Sequence, residues 1–300
     1  MSGELTRYAW LSIAAALATI VLKAAAWWFT GSVGLLSDAL ESVVNLVAAV
    51  VALGALTASA WPADDGHAHG HDKAEYFSSG VEGAMILVAA AAIAWTALPR
   101  LIHPAPIEQV GLGLAVSVAA SLINLVVAQI LLRVGKKHHS IALEADGHHL
   151  MTDVWTSAGV LVGVALVWFT GWQRLDPLIA IAVAMNIVVT GVSLMRRSAE
   201  GLLDPSLPDA ELAQVVAVLD RFRAEHGMHW HALRTRQSGA RRFLTVHVLV
   251  PGDWTVKRGH DIADRLERAL AETLPNLHAT THLEPEEDPI SHDDGHLDRR

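Results

Sequence analysis

The chain has 300 residues, 52% of them hydrophobic, with a mean hydropathy of +0.35, a net charge of −9, 17 His and no Cys. The acidic balance argues against a nucleic-acid partner. The lack of cysteine removes disulfides, thiolate metal sites and Cys nucleophiles together. Positive hydropathy with several long apolar runs is rare in a soluble chain of this size, so a membrane protein is expected.

About 20 mostly apolar residues span a bilayer. Six segments meet that test, at 9–30, 33–60, 78–98, 110–132, 142–169 and 177–195. The first lacks a small-residue cleavage site and stays apolar too long for a signal peptide, so it reads as a span. Lys and Arg near span ends set orientation. Lys73, Arg133, Lys136, Lys137, Arg196 and Arg197 fall on one side, against Arg100 and Arg174 on the other. Both termini are therefore expected in the cytoplasm, together with the His-rich loop "DDGHAHGHDKAE" at 64–75.

Two spans carry polar groups at i,i+4 spacing, which places each pair on one helix face. The second has Glu41 and Asn45, and the fifth has His149 and Asp153. The two spans run antiparallel. At about 1.5 Å per residue, Glu41 and Asp153 come to one depth, and Asn45 and His149 to another. Four ligand groups at matched depths suit a tetrahedral divalent ion, and two carboxylates would offset its charge. The alternative is polar glue between helices. Asp38 and Asp146, nearer their span ends, are expected to cap helices or sit at the interface. Glu144 and His148 are expected to line the cytoplasmic mouth.

Past Asp204 the chain turns polar and reads as α-β-β-α-β: a helix at 209–225, strands at 230–239 and 241–250, a helix at 256–273 and a strand at 277–285. Helices on one sheet face make a small α+β layer. His282 and Glu284 lie two apart on a strand and so share a face. His247 is an odd choice for the middle of the strand "LTVHVLV". The acidic stretch from Glu286 is expected to lack fixed structure. The abundant His, Asp and Glu suit zinc, iron, cobalt, nickel or manganese better than copper(I).

Six motifs, "GLLSDALESVVN", "DDGHAHGHDKAE", "EADGHHLMTDVWTS", "LLDPSLPD", "LRTRQSG" and "HDIADRLERAL", together resemble the cation diffusion facilitator family. The likeness runs from the first span to about Pro285. It implies a homodimeric exporter in the cell's inner membrane that exchanges divalent metal, zinc first among the candidates, for protons. It implies a transmembrane domain at 1–204, a ferredoxin-like cytoplasmic metal-binding and dimerisation domain at 205–290, and a loose tail at 291–300. Carried over by motif, the transport site is Glu41, Asn45, His149 and Asp153. The family usually offers His or Asp, then Asp, on the second span, so metal preference is where this chain departs. The loop site is Asp64, His67 and His71, with His69 outside the pattern. The domain site is His231, His247, His260, His282 and Glu284, with Glu284 replacing the more usual Asp. Some relatives bridge two ions there through the residue that matches His260. Lys73 and Asp204 match a salt-bridge hinge. Two rivals to transport are a membrane metalloenzyme, which the absence of HExxH disfavours, and a metal sensor without flux.

Overall fold

The computed structural model describes residues 2–30, 33–103 and 112–293, without the side chains of 2–4, 30, 33–41, 44, 112–114, 160, 164–165, 168 and 176. Two compact units divide the chain, Met1–Ala199 and Glu200–Arg300.

Six long helices build the first unit among the described residues: α1 (Ser2–Thr30), α2 (Val33–Ser59), α3 (Ala74–Ile102), α4 (Leu112–His138), α5 (Ile141–Thr170) and α6 (Leu175–Leu202). Four are long and apolar enough to cross a membrane: Leu5–Phe29, Ala74–Ile102, Ala115–His138 and Pro177–Leu202. α2 adds the apolar stretch Asn45–Ser59. The remaining helix, α5, is continuous, but Glu144, Asp146 and Asp153 break its apolar sequence. Large apolar side chains such as Val21, Trp28, Val88, Trp95 and Met185 face outward. Asn45, Glu82, Asn124, Asp146, His149 and Asp153 are buried. That inside-out arrangement suits hydrocarbon, which forces polar groups to pair internally.

α1 packs along α2 and α4 along α5, while α3 lies against α5 and α2. The α4–α5 approach is close because Gly135 and Gly147 lack side chains. A Cβ at Gly147 would come within 2.9 Å of Leu132, and one at Gly135 within 2.8 Å of Glu144. Ser140 starts α5, its hydroxyl accepting from Leu143 N, and Gly171 ends it with a φ of 71°. Apolar packing by Leu56, Leu131, Leu143 and Leu150 fixes α5 against its neighbours.

The second unit runs α7 (Asp209–His226), β1 (His229–Ser238), β2 (Arg241–Val250), α8 (Val256–Thr273) and β3 (Leu277–Pro285). This is the expected α-β-β-α-β order. The sheet order is β1-β2-β3, with β1–β2 antiparallel and β2–β3 parallel. Alternation along β2 sends Leu244, Val246 and Val248 into a core with Val215 and Leu219 of α7 and Leu266 and Leu270 of α8. Both helices thus cover one face and leave the residues between, His247 among them, on the other. Arg242 closes the edge of that core. Its guanidinium donates to both carboxylate oxygens of Glu211 at 2.7 Å and to the carbonyl of Pro275 at 3.1 Å. That bidentate bond to Glu211 holds the Arg242 proton above its ordinary range.

The stretch from Glu286 is ordered as far as Asp293, contrary to the sequence expectation. Glu286 N donates to Val250 O and so continues the ladder with β2. Its carboxylate pairs with His229 at 2.7 Å, and Glu287 accepts from Gly252 N at 2.9 Å. A short 3-10 turn, Pro289–His292, follows. Acidic composition suggested disorder, but these carboxylates have specific donors. Residues 294–300, most of the expected loose tail, lie outside the described residues.

Candidate metal centres

In the membrane unit, α2, α4 and α5 converge on one polar cluster. Asn45 is the hub. Its side-chain oxygen lies 2.8 Å from His149 Nε2, and its amide nitrogen donates to Asp153 Oδ2. Asn124 of α4 donates to the same Asp153 oxygen at 3.0 Å. All four side chains are at most 7% exposed. Helix rise predicts Asn45 at the depth of His149, and the two side chains meet. Asn45 also reaches Asp153, so one amide bridges both polar groups of α5. Asn124 gave no sequence signal, because a lone Asn in an apolar helix has no i,i+4 companion. The Glu41 and Asp38 side chains lie outside the described residues.

Two other expectations for α5 are corrected. Asp146 neither caps a helix nor sits at an interface. It is fully buried, and neither of its oxygens has a hydrogen-bond partner. Ser140 supplies the cap instead, six residues earlier, and α5 enters the core from its first turn. Glu144 is buried and pairs with Arg197 of α6 at 2.7 Å rather than standing open at a mouth.

In the loop, Asp64, His67 and His71 bring one ligand atom each within 4.8 Å of one another. His67 Nδ1 and His71 Nε2 are 3.1 Å apart, and they lie 3.4 and 3.5 Å from the Asp64 carboxylate. The turn explains the shape. Asp64 Oδ1 accepts from His67 N at 2.7 Å and Gly66 N at 2.9 Å, folding the carboxylate over the following imidazole. The His67 bond, backed by the Gly66 bond and the two nearby imidazoles, lowers the proton affinity of Asp64 against a smaller desolvation effect.

In the second unit, register rather than loop geometry makes the cluster. His231 pairs with His247 across β1–β2, and His247 with His282 across β2–β3, so three imidazoles form one row. They stand on the face away from α7 and α8. Glu284 is two residues past His282. Its oxygens lie 3.0 Å from His231 Nε2 and 3.2 Å from His247 Nδ1. His247 Nδ1 is buried yet makes no aligned hydrogen bond. A buried imidazole nitrogen left over, close to a carboxylate and a second imidazole, fits a divalent ion better than a hydrogen-bond network. His231, His247 and Glu284 form the compact group. His282 is at its rim, 68% exposed and 3.5 Å from Glu284. His260 stands apart from that group, exposed on α8. α8 packs on the opposite sheet face, with Gly259 against Leu283, so within one chain His260 starts from the wrong side. The expected hinge pair falls in different units. Asp204, at a φ of 54°, accepts from Arg236 at 3.3 Å.

Family models match almost the whole chain, the cation efflux transmembrane domain over residues 9–203 and the cation efflux protein cytoplasmic domain over residues 207–286. The chain belongs to the cation diffusion facilitator family. An uncharacterized transporter, sll1263, of Synechocystis sp. (strain ATCC 27184 / PCC 6803 / Kazusa) is 54% identical over 292 residues, covering 97% of this chain and 94% of that protein. The cation-efflux pump FieF of Salmonella typhimurium is 31% identical over 280 residues, 93% of this chain and 92% of that one. The metal-bound C-terminal domain of the CzcD transporter from Thermotoga maritima is 25% identical, covering 28% of this chain and 99% of that one, with a TM-score of 0.25. As a cation diffusion facilitator, the chain is a multi-pass membrane transporter with a cytoplasmic-type domain after its helices.

Proposed function

We propose that this protein exports a divalent transition metal across the cell's inner membrane in exchange for protons, as a homodimer with both termini in the cytoplasm. The observation that carries the reading is the buried junction of Asn45, His149 and Asp153, in a chain of the cation efflux family. The donors, an amide oxygen, an imidazole nitrogen and a carboxylate, with Glu41 as a fourth, suit zinc, iron(II) or cobalt. Metal binding needs a neutral imidazole and an ionised carboxylate, so protons compete for the same atoms. Without metal, Asn45 bonds to both His149 and Asp153, which offsets part of the cost of leaving them buried. An arriving ion has to displace those bonds. Rocking of helices about the site would then present it to either side.

Asp64, His67 and His71 are assigned as a capture site in the loop. His231, His247, Glu284 and His282 are assigned as a regulatory site in the second domain, joined by His260 only if a partner subunit supplies it. Lys73 and Asp204 are proposed as the salt-bridge hinge that the family motif implies for the dimer. The regulatory cluster also favours a second reading, a sensor that binds metal without moving it. One experiment separates the two. Proteoliposomes loaded with a metal-sensitive dye and a pH dye are challenged with Zn2+, Fe2+ and Co2+. Metal entry with opposite proton movement supports export. Metal binding without entry supports the sensor.

A further inference from the structure

One buried polar group plays no part in the candidate metal centres. Glu82 of α3 and Asp146 of α5 are both 0% exposed and act on each other electrostatically. Glu82 Oε1 accepts from Ser78 at 2.9 Å, but its Oε2 has no partner, and neither oxygen of Asp146 has one. Ser12 of α1, also 0% exposed, lies beside Asp146 but makes no aligned hydrogen bond. Three helices thus bring two carboxylates and a hydroxyl together with hydrogen-bonding capacity to spare.

The surrounding charges do not neutralise the pair. On α5, Glu144 is engaged by Arg197 of α6. On α4, Asn124 turns to Asp153, and Arg133, Lys136 and Lys137 are exposed on its final turns. On α2, Asn45 is committed to α5. The buried cation of α1, Lys23, is eleven residues past Ser12, about 16 Å along the helix. Two ionised carboxylates side by side in a low-dielectric interior repel strongly and are poorly solvated. Among the described residues no third His or acidic ligand joins the pair, which disfavours a divalent metal ion there. One shared proton needs only what is present.

We propose that Glu82 and Asp146 form a proton-binding site, separate from the metal junction, that gives up its proton when metal arrives there. Asp146 is three residues, less than one helical turn, before His149 on α5. Two added positive charges at that distance, in a poorly screened interior, favour the ionised pair. The carboxyl O–H bond breaks, its electron pair stays on oxygen, and the proton leaves to solvent. The pair then returns to its protonated state when the metal departs. This rests on the metal junction proposed above, and it adds a proton that does not come from the metal ligands.

The test uses the full chain in nanodiscs. Infrared spectra should show a protonated carboxyl band that Glu82→Gln and Asp146→Asn each remove. Calorimetric Zn2+ titrations, in buffers of different ionisation enthalpy, count protons released per ion. Each variant should release about one proton fewer than the parent, with Zn2+ affinity changed by less than about threefold. Asp153→Asn serves as the control. If Zn2+ binding to the parent is unaffected by Asp153→Asn, the metal-junction reading fails, while the infrared band still reports on the pair. If the parent binds Zn2+ at the junction but the variants release as many protons, the inference is overturned. Loss of Zn2+ binding in both variants, with gel filtration showing intact protein, also overturns it, because the pair would then belong to the metal cage.

Discussion

The membrane junction and the sheet cluster use the same ligand types but position them by opposite means. In the junction, His149 and Asp153 share one helix, and their partners come from two others, Asn45 of α2 and Asn124 of α4. Its geometry depends on how three helices rotate and pack. In the sheet, His231, His247 and Glu284 come from three adjacent strands whose ladder fixes register residue by residue. Each centre leaves one buried imidazole nitrogen without a hydrogen bond, His149 Nδ1 in the junction and His247 Nδ1 in the sheet. In the junction an ion has to displace the bonds that Asn45 makes to His149 and Asp153, which favours release and suits the proposed transport. In the sheet the ladder holds the imidazoles in place with or without an ion, which suits the proposed regulation.

Asp153→Ala should break the junction most completely. Asp153 is bonded to both Asn45 and Asn124, and a divalent ion loses its charged oxygen there. Metal-driven proton flux in proteoliposomes should fall by roughly a hundredfold or more, with the protein still eluting as a folded species. Parental flux in this variant would remove Asp153 from the transport path.

Glu284→Ala tests the other region. The carboxylate is the common neighbour of His231, His247 and His282. The second unit has a hydrophobic core of its own, so residues 205–293 should fold alone. Metal bound only by the folded state adds about 2.7 kcal/mol when the ion is at a hundred times its Kd. The parental domain should therefore melt several degrees higher with saturating Zn2+, and Glu284→Ala should lose most of that gain. Flux by the full chain should remain. An equal Zn2+ shift in both forms would remove Glu284 from the site, and no shift in the parental domain would leave it as a dimerisation module only.

Asn124→Ala asks whether the junction needs its third helix. Asn124 does not match any expected ligand, but it orients the Asp153 oxygen. Loss of such an orienting bond costs about tenfold in metal affinity, without changing which metal ranks first. Isothermal titration with Zn2+ and Co2+ measures both. A changed ranking would make Asn124 a ligand.

How much of this was legible in the sequence follows from which interactions are local. The strands and helices of the second unit were readable because period-2 and period-3.6 patterns are local, and because His282 and Glu284 share a face by spacing alone. Asn45 met His149 because helix rise converts residue number into depth. Asn124 and the burial of Asp146 were not readable, since the rotation of α4 and α5 about their axes is set by packing, such as Gly147 against Leu132. The Glu144–Arg197 pair spans 53 residues and two helices, beyond any local pattern. His260 lies outside the compact group of one chain for a simpler reason: a motif match says nothing about which face of the sheet a helix covers.

The smallest expected effect is at the loop, which lies between the two modes. Its ligands are neither buried like the junction nor fixed by a ladder, and a single turn supplies the order. The backbone N–H groups of His67 and Gly66 stabilise the Asp64 carboxylate and keep its proton affinity below the usual carboxylate range. A carboxyl whose folded-state pKa is depressed contributes above its ordinary pKa and loses that contribution only as pH falls through the depressed value. Between pH 8 and about pH 5, Asp64 therefore stays ionised and adds nothing to any pH dependence. Metal needs neutral imidazoles, so protons compete with it at His67 and His71, and metal capture by the loop should fall on acidification. Asp64→Asn should weaken capture severalfold at every pH and leave the slope with pH unchanged. The measurement is Co2+ absorbance against pH in a background of Asp153→Ala and Glu284→Ala, which leaves the loop as the remaining proposed centre. A flatter slope in the Asp64 variant would mean that the carboxylate itself titrates in this window, and that the turn does not hold it as the hydrogen bonds indicate.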